Sequence, residues 1–258
     1  EDRDRNNAVA SGYETRVITP TVALLYKPRP NATVYVSYVG SLEPGSVVGV
    51  RYANANETLN ATVSTQYEAG FKYAAGRAPI EAALFKITRS ETMDTTRGTL
   101  VYLTQDGRST FKGLEASAQY KLTDDLKIGG GFVKLDATID EVSVANAALR
   151  GNRPANAGKW QGVFNAEYSV PAVEGLSVRG VVRYYGDTYV SNLNNLKAPA
   201  YTVLNVGADY RFKLQGRPAT LNLNVNNLLN KKYWAAGGYS AGNIGEAING
   251  SVGLNVEF

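Results

Sequence analysis

The side chains best suited to ligand chemistry are arginines and aromatic residues in long polar segments of the chain. Arginine holds anions with a planar, permanently charged group, and aromatic rings stack on planar ligands. We expect the contacts to be Arg51, Tyr52, Arg150, Arg153, Tyr189, Trp234 and Tyr239. This set predicts capture of a planar, anionic ligand. The alternative is that these side chains are simply solvated in their polar segments.

Catalytic and metal chemistry is restricted by the residue types that the chain lacks. Its 258 residues include no Cys and no His. An imidazole base, a thiol nucleophile, a disulfide and a thiolate- or imidazole-ligated metal are therefore excluded. The paired carboxylates Asp124 and Asp125 fall in a turn segment and indicate no site. We expect no catalytic residue, no metal site and no cofactor, and hence no enzyme. The net charge of +4 is scattered, which argues against a nucleic-acid partner.

Apolar residues alternate with polar or small ones along most of the chain. The C-terminal segment is an example, where Val252, Leu254, Val256 and Phe258 occupy every second position. A period of two predicts β-strands with one apolar and one polar face. No segment approaches the 18 or more consecutive apolar residues that a transmembrane helix needs.

Three features favour a transmembrane β-barrel over a soluble sandwich. The strands are long, about 9–14 residues, where soluble strands are most often about 5–6. Aromatic residues stand at strand ends, just before turns. Ionised residues such as Glu115, Glu167 and Arg179 lie mid-strand on the polar face. A barrel in a membrane turns its apolar face to lipid, lines a wet lumen with its polar face and carries aromatic girdles.

Short turns alternate with long polar connections, the pattern of periplasmic turns and external loops in outer-membrane barrels. We predict eleven strands, near residues 16–27, 32–41, 64–73, 78–90, 100–122, 126–136, 159–170, 176–186, 201–214, 219–232 and 247–258. This count treats Gly107 as a bulge; a hairpin at Asp106-Gly107 would give twelve strands. An odd number cannot close as an antiparallel barrel, so the fold class expected is all-β, an antiparallel portion of a larger barrel.

Short motifs add a family resemblance. Residues 225–234 read Val-Asn-Asn-Leu-Leu-Asn-Lys-Lys-Tyr-Trp. Further short motifs occur, in chain order, at residues 31–38, 67–72, 83–87 and 113–115. Together they resemble the barrel of TonB-dependent outer-membrane receptors, most nearly ferric-siderophore receptors, over about residues 17–258. The resemblance implies a 22-stranded barrel in the bacterial outer membrane, of which residues 1–258 form the C-terminal half. The N-terminal plug domain and the TonB box are expected to be absent from this sequence.

The implied function is a receptor and transporter for ferric siderophores, which are the transported ligand rather than a cofactor. External loops capture the ligand, and energy-coupled uptake is expected only of the full-length protein. The implied partners are outer-membrane lipid, the ferric siderophore, the plug, the remaining barrel strands, the TonB complex and the barrel-assembly machinery. The alternative is a self-contained twelve-stranded passive pore or an autotransporter-type translocator.

The C-terminal strand has a second expected role. Val252, Leu254, Val256 and Phe258 form an apolar strand end of the kind that, in barrels it resembles, the insertion machinery reads by strand addition. Packing against lipid explains the same residues, and both roles can hold together.

Overall fold

The computed structural model describes residues 2–3, 9–11, 16–76, 78–235 and 243–257. Within these ranges the chain forms one large antiparallel sheet of eleven strands. The strands are β1 (Thr21–Arg29), β2 (Ala32–Glu43), β3 (Thr62–Ala75), β4 (Ala78–Arg97), β5 (Leu100–Lys121), β6 (Leu126–Glu141), β7 (Trp160–Ser169), β8 (Leu176–Tyr185), β9 (Tyr201–Leu214), β10 (Arg217–Asn226) and β11 (Asn249–Val256).

Each strand pairs with the one before it, so the sheet is a simple meander. In the described ranges β1 pairs only with β2, and β11 pairs only with β10. The predicted eleven strands are thereby confirmed, as is the expectation that the first and last strands do not close on each other. The all-β, partial-barrel fold class is confirmed with them.

A bulge, and not a hairpin turn, lies directly before Gly107 in β5. Glu91 is opposite Gly107 and Met93 is opposite Thr104, so two residues of β5 face the single residue 92 of β4. The hairpin turn comes earlier, at residues 98–99, where Gly98 has a φ of 64°. β4 and β5 therefore continue past the bulge as a tall hairpin, and the predicted strand near 78–90 is longer than expected.

Short and long connections alternate as predicted. The turns at 30–31, 122–125, 170–175 and 215–216 and the turn residue Gly76 lie at one end. The loops 44–61, 142–159 and 186–200 and the described parts of the connection after β10, 227–235 and 243–248, lie at the other. Gln215 and Gly216 have φ values of 52° and 83°, the backbone of a tight primed turn. The strand predicted near 219–232 ends at Asn226, because Asn227 and Asn230 adopt left-handed φ values of 49° and 47°.

Regular structure outside the sheet is brief. A 3₁₀ helix, Val144–Leu149, lies in the loop after β6. Two-residue strands pair within loops: Thr188–Tyr189 with Lys197–Ala198, and Trp234–Ala235 with Asn243–Ile244. Asp2–Arg3 pairs with Val9–Ser11 near the start of the chain. The described residues include no membrane-spanning helix.

The two faces of the sheet have opposite chemistry. Residues opposite each other in the ladder share a face, so the register places Leu84, Leu114 and Phe164 on the apolar side, where Leu84 is 62% and Phe164 52% exposed. Contiguous exposed apolar surface on this scale marks contact with another apolar phase. The polar side lines a recess that reaches from β2 to β8, which shows that the sheet curls with its polar face inside.

This arrangement predicts opposite outcomes for two similar substitutions. Val206 is on the apolar face at mid-strand, and Val181 is on the polar face of the neighbouring strand. Val206→Arg should impair membrane insertion, since an arginine facing lipid near the midplane costs about 2–4 kcal/mol. Val181→Arg should be tolerated. Heat-modifiable mobility and the yield in purified outer membranes measure both, and equal losses would contradict a barrel with a lipid-facing apolar side.

Candidate ligand-binding face

The inner face carries a central recess of about 500 Å³ between β2 and β8. Carboxylates from three strands, Glu68, Glu81 and Glu115, line it together with the cations Lys72 and Arg183. The period of two explains this arrangement, because every second residue of each strand points into the curl. The recess is therefore a polar wall with an excess of acidic groups.

Tyr35 of β2 lies at one side of this wall. Its hydroxyl donates a hydrogen bond to Glu68, which also accepts one from Gln66 Nε2 at 2.8 Å. The Tyr35 ring covers Gly70 on the next strand, where a β-carbon would collide with it. Lys72 approaches the ring at 5.8 Å and pairs with Glu81 at 3.6 Å. Glycine at position 70 thus lets a large side chain lie flat along the wall.

A second network lies on the inner face of the last strands. Arg179 pairs with Asp209 and donates to the side-chain oxygen of Asn224. Asn222 donates to Asp209 in turn. An inward arginine is thus paired with Asp209, and asparagines of β10 complete the hydrogen bonding of both groups. These groups hold neighbouring strands in register on the lumen side.

Three tyrosines form a stack where the inner wall meets the external loops. Tyr185 ends β8, Tyr201 begins β9, and Tyr233 lies in the loop after β10. Ring centroids are 4.9 Å apart for Tyr185 and Tyr201, and 4.1 Å apart for Tyr201 and Tyr233. Trp234, which is 49% exposed, shares a small cavity with the first two rings. We call Tyr185, Tyr201 and Tyr233 the tyrosine stack.

The residues of the tyrosine stack are not among the ligand contacts predicted from the sequence. Alternation could have placed two of these tyrosines on the inner face. Tyr185 is two residues from the inward Arg183, and Tyr201 is four residues from the inward Asn205. The third contact, from Tyr233, depends on the path of a loop and has no local signal.

The loop between β2 and β3 is folded rather than open. Val48, Tyr52 and Leu59 form a small core that packs against Leu103 of the tall hairpin. The Tyr52 hydroxyl donates to Asp94 at 2.7 Å, and Arg51 stacks over the Tyr52 ring at 4.5 Å. Burial is the main cause that raises the pKa of Tyr52 above its ordinary value. Tyr52 is only 7% exposed, so it holds the loop together while Arg51 stays at the surface.

The loops after β6 and β8 are joined by a clamp built on Arg153. Its guanidinium donates to Asp187 at 3.0 Å and stacks over Tyr189 at 4.6 Å. Asn194 accepts from the Arg153 backbone N–H at 2.9 Å and donates to its carbonyl at 2.7 Å. Lys197 adds a second cation 3.5 Å from Asp187. Arg153 is buried and Tyr189 half-buried, so both take part in loop structure.

The remaining predicted contacts are placed separately. Arg150 is exposed at the end of the loop helix, and Tyr239 lies outside the described residues. The structure thus brings together Arg51 with Tyr52, and Arg153 with Tyr189, and places Trp234 beside the tyrosine stack. Of the predicted assembly signal, Val252, Leu254 and Val256 are on the outer face of β11, with Val252 72% exposed, and Phe258 lies outside the described residues.

The clamp should respond to pH through Asp187. The hydrogen bond from Arg153 is the main cause that lowers the pKa of Asp187 below 3.8. A carboxyl with a lowered pKa in the folded state stabilises that state above its ordinary pKa, and the contribution is lost as pH falls through the lowered value. Asp187→Asn at pH 7 should therefore expose the loops, with backbone amide exchange of residues 150–158 about tenfold faster.

Hydrogen exchange followed by mass spectrometry tests this prediction. Asp125→Asn, in a turn at the opposite end, is the control and should leave exchange of residues 150–158 unchanged. Unaltered exchange in Asp187→Asn would mean that the clamp does not hold these loops.

Comparison with known proteins assigns the fold to a family. Residues 1–228 match the family model described as "TonB dependent receptor-like, beta-barrel". The ferrichrome receptor FcuA of Yersinia enterocolitica is 28% identical over 230 residues, which cover 87% of this chain and 30% of that protein. The ferrioxamine receptor of the same organism is 29% identical, over 83% of this chain and 29% of its own length. The chain thus spans about a third of the length of these relatives.

Solved structures agree with the sequence relatives. The ferric preacinetobactin receptor BauA of Acinetobacter baumannii superposes with a TM-score of 0.77 and 26% identity, over 93% of this chain and 36% of that one. Members of the family are transport receptors of the outer membrane rather than enzymes, they bind ferric siderophores and they work with TonB. The eleven-stranded sheet described above therefore belongs to the TonB-dependent receptor family, as part of its outer-membrane β-barrel.

Proposed function

We propose that this chain forms one half of the barrel wall of a receptor that imports ferric siderophores across the outer membrane. The observation that carries the proposal is the curled eleven-stranded sheet with a polar inner wall, half of the 22 strands typical of plugged outer-membrane transporters. The names of the relatives, receptors for ferrichrome, ferrioxamine and preacinetobactin, support a ferric chelate as the ligand class.

The external end supplies the ligand-binding groups in this proposal. Arg51, Arg150 and Trp234 have accessible side chains there, and the tyrosine stack faces inward just below the loops. Arginines attract an anionic chelate, and aromatic rings cover its planar groups. Tyr52 and Arg153 contribute by holding the loops in place, and Tyr189 supports Arg153.

The inner wall suggests the remaining partners. A recess lined by three carboxylates fits a plug domain that presents cationic groups to it. The free edges of β1 and β11 fit pairing with the other barrel strands of the whole receptor, because unpaired backbone groups in lipid cost several kcal/mol each. Energy then comes from the TonB complex through the plug. The outward Val252, Leu254 and Val256 of β11 fit a signal for the assembly machinery.

Uptake of radioactive iron tests the proposed function. Cells that carry the whole receptor should accumulate iron from ferrichrome, ferrioxamine B or another chelate of this class, and deletion of tonB should abolish the uptake. Cells that express residues 1–258 alone should show no energy-coupled uptake. Uptake that persists without TonB would contradict the proposal and favour the alternative of a passive pore.

The tyrosine stack should contribute to affinity. Tyr201→Ala in the whole receptor removes the central ring and should weaken binding of the transported chelate about three- to tenfold, the range expected for loss of an aromatic contact. Tyr201→Phe keeps the ring and should bind nearly as well. Tyr184→Ala, on the outer face beside Tyr185, is the matched control. Fluorescence quenching titrations measure the affinities, and an unchanged Kd in Tyr201→Ala would remove the stack from the site.

A further inference from the structure

One side chain of the motif at residues 225–234, that of Asn227, bonds to backbone groups far apart in the last external loop. Asn227 follows directly after β10 and is 4% exposed. Its amide oxygen accepts from the Lys231 N–H at 2.8 Å, and its amide nitrogen donates to the Lys231 carbonyl at 2.9 Å and to the Glu246 carbonyl at 2.8 Å. Its backbone N–H donates to the Asn205 side chain of β9 at 2.9 Å. Both amide hydrogens of this buried side chain are therefore used on the loop backbone.

The hydrogen bonds of Asn227 join two arms of this loop. We define the outgoing arm as residues 227–235 and the returning arm as residues 243–249. Asn227 binds backbone groups of both arms, and Asn230 adds a second link, because its side-chain oxygen accepts from the Ile248 N–H at 3.1 Å. Asn227 and Asn230 both have left-handed φ values, so the outgoing arm turns back on itself instead of continuing the strand. The two arms are thus held together at their base.

The joined arms determine where Tyr233 lies. The Tyr233 carbonyl accepts from the Gly245 N–H of the returning arm at 2.8 Å. At the next residue, Trp234 pairs with Ile244 in a two-residue ladder. The Tyr233 ring lies against Gly245, where a β-carbon would collide with it, and its centroid is 4.1 Å from that of Tyr201. The place of Tyr233 in the tyrosine stack therefore depends on contacts from both arms.

A ring carried on a long loop contributes fully to binding only when its position is fixed beforehand. Ordering a flexible segment costs conformational entropy, and a site that must be ordered as the ligand binds loses affinity by that amount. Tyr233 lies beyond the end of β10, so the ladder of the barrel wall does not hold it. The buried amide of Asn227 supplies the constraint that the ladder does not.

We propose that Asn227 is a positioning residue for ligand binding, which holds Tyr233 on Tyr201 before the ligand arrives. The inference rests on the proposed function, because it takes the tyrosine stack as part of the binding site. It also gives the 225–234 motif a physical role: the asparagine at its centre connects the barrel wall to the ring that the motif carries near its end.

Asn227→Asp in the whole receptor tests this role directly. Aspartate keeps the size of the side chain and the oxygen that faces the Lys231 N–H, but it puts an oxygen in place of the group that donates to two carbonyls. Backbone amide exchange of residues 231–235 should become about tenfold faster. Binding of ferrichrome or ferrioxamine B, measured by fluorescence quenching, should weaken about three- to tenfold, as for loss of the Tyr233 ring itself. Asn226→Asp, at the exposed neighbouring residue, is the matched control and should change neither quantity.

A double variant separates positioning from a direct ligand contact by Asn227. In a receptor that already carries Tyr233→Ala, Asn227→Asp should weaken binding by no more than about twofold further, because its effect passes through the missing ring. Losses that multiply, or an unchanged Kd in Asn227→Asp alone, would overturn the inference.

Two further variants cover the effects of charge and folding. Asn227→Gly allows the same left-handed turn and adds no charge, so it should weaken binding as Asn227→Asp does, and wild-type affinity in this variant would also overturn the inference. Gly245→Ala leaves Asn227 in place but displaces the Tyr233 ring, and it should reproduce the loss. Heat-modifiable mobility checks that each barrel is folded.

Iron uptake measured in parallel reports on the proposed function. TonB-dependent uptake together with wild-type exchange and affinity in Asn227→Asp would overturn this inference alone. Uptake that persists without TonB would contradict the proposed function, and the same titrations would still show whether Asn227 acts through Tyr233.

Discussion

Backbone hydrogen bonding determines how these strands can be arranged in a membrane. In the hydrocarbon of a membrane no water can satisfy an N–H or C=O group, so a spanning strand must be paired on both sides. Nine of the eleven strands meet this condition within the described residues, and the two edge strands β1 and β11 do not. In a membrane, the unpaired backbone groups of β1 and β11 therefore require other strands beside them.

That constraint leaves the side chains free to differ on the two faces. The inner face carries hydrogen-bonded groups such as Arg179, Asp209 and Tyr35, and the outer face carries Leu84, Leu114 and Phe164. Polar networks inside also restrict the register, because a slip by one residue would exchange the two faces. Gly70 shows that the inner face also restricts residue size. A β-carbon at this position would collide with the Tyr35 ring, which lies along the wall.

The strands could be predicted from sequence because their signals are local. Alternation and turn residues are read over a few positions. They correctly predicted eleven strands, and a bulge rather than a hairpin at Asp106-Gly107, within two residues of its position in the structure. The height of the tall hairpin and the end of β10 at Asn226 were missed, since they depend on the turn at Gly98 and on left-handed asparagines rather than on hydrophobic period. The environments of Tyr52 and Arg153 were also missed. Their partners Asp94 and Asp187 are 42 and 34 residues away, and no spacing rule connects them.

The loops illustrate why residue type alone overestimates a binding site. Arginine and tyrosine are chosen for ligand contact because they combine charge, area and hydrogen bonding, and the same properties make them effective at holding a long loop together. The Arg153 guanidinium binds Asp187 and stacks on Tyr189. The Tyr52 hydroxyl donates a hydrogen bond to Asp94. A loop of 15 or more residues above a barrel needs such internal contacts before it can present anything in a fixed position. The residues that contact a ligand are then those left at the surface by this internal packing, which only the folded loop determines.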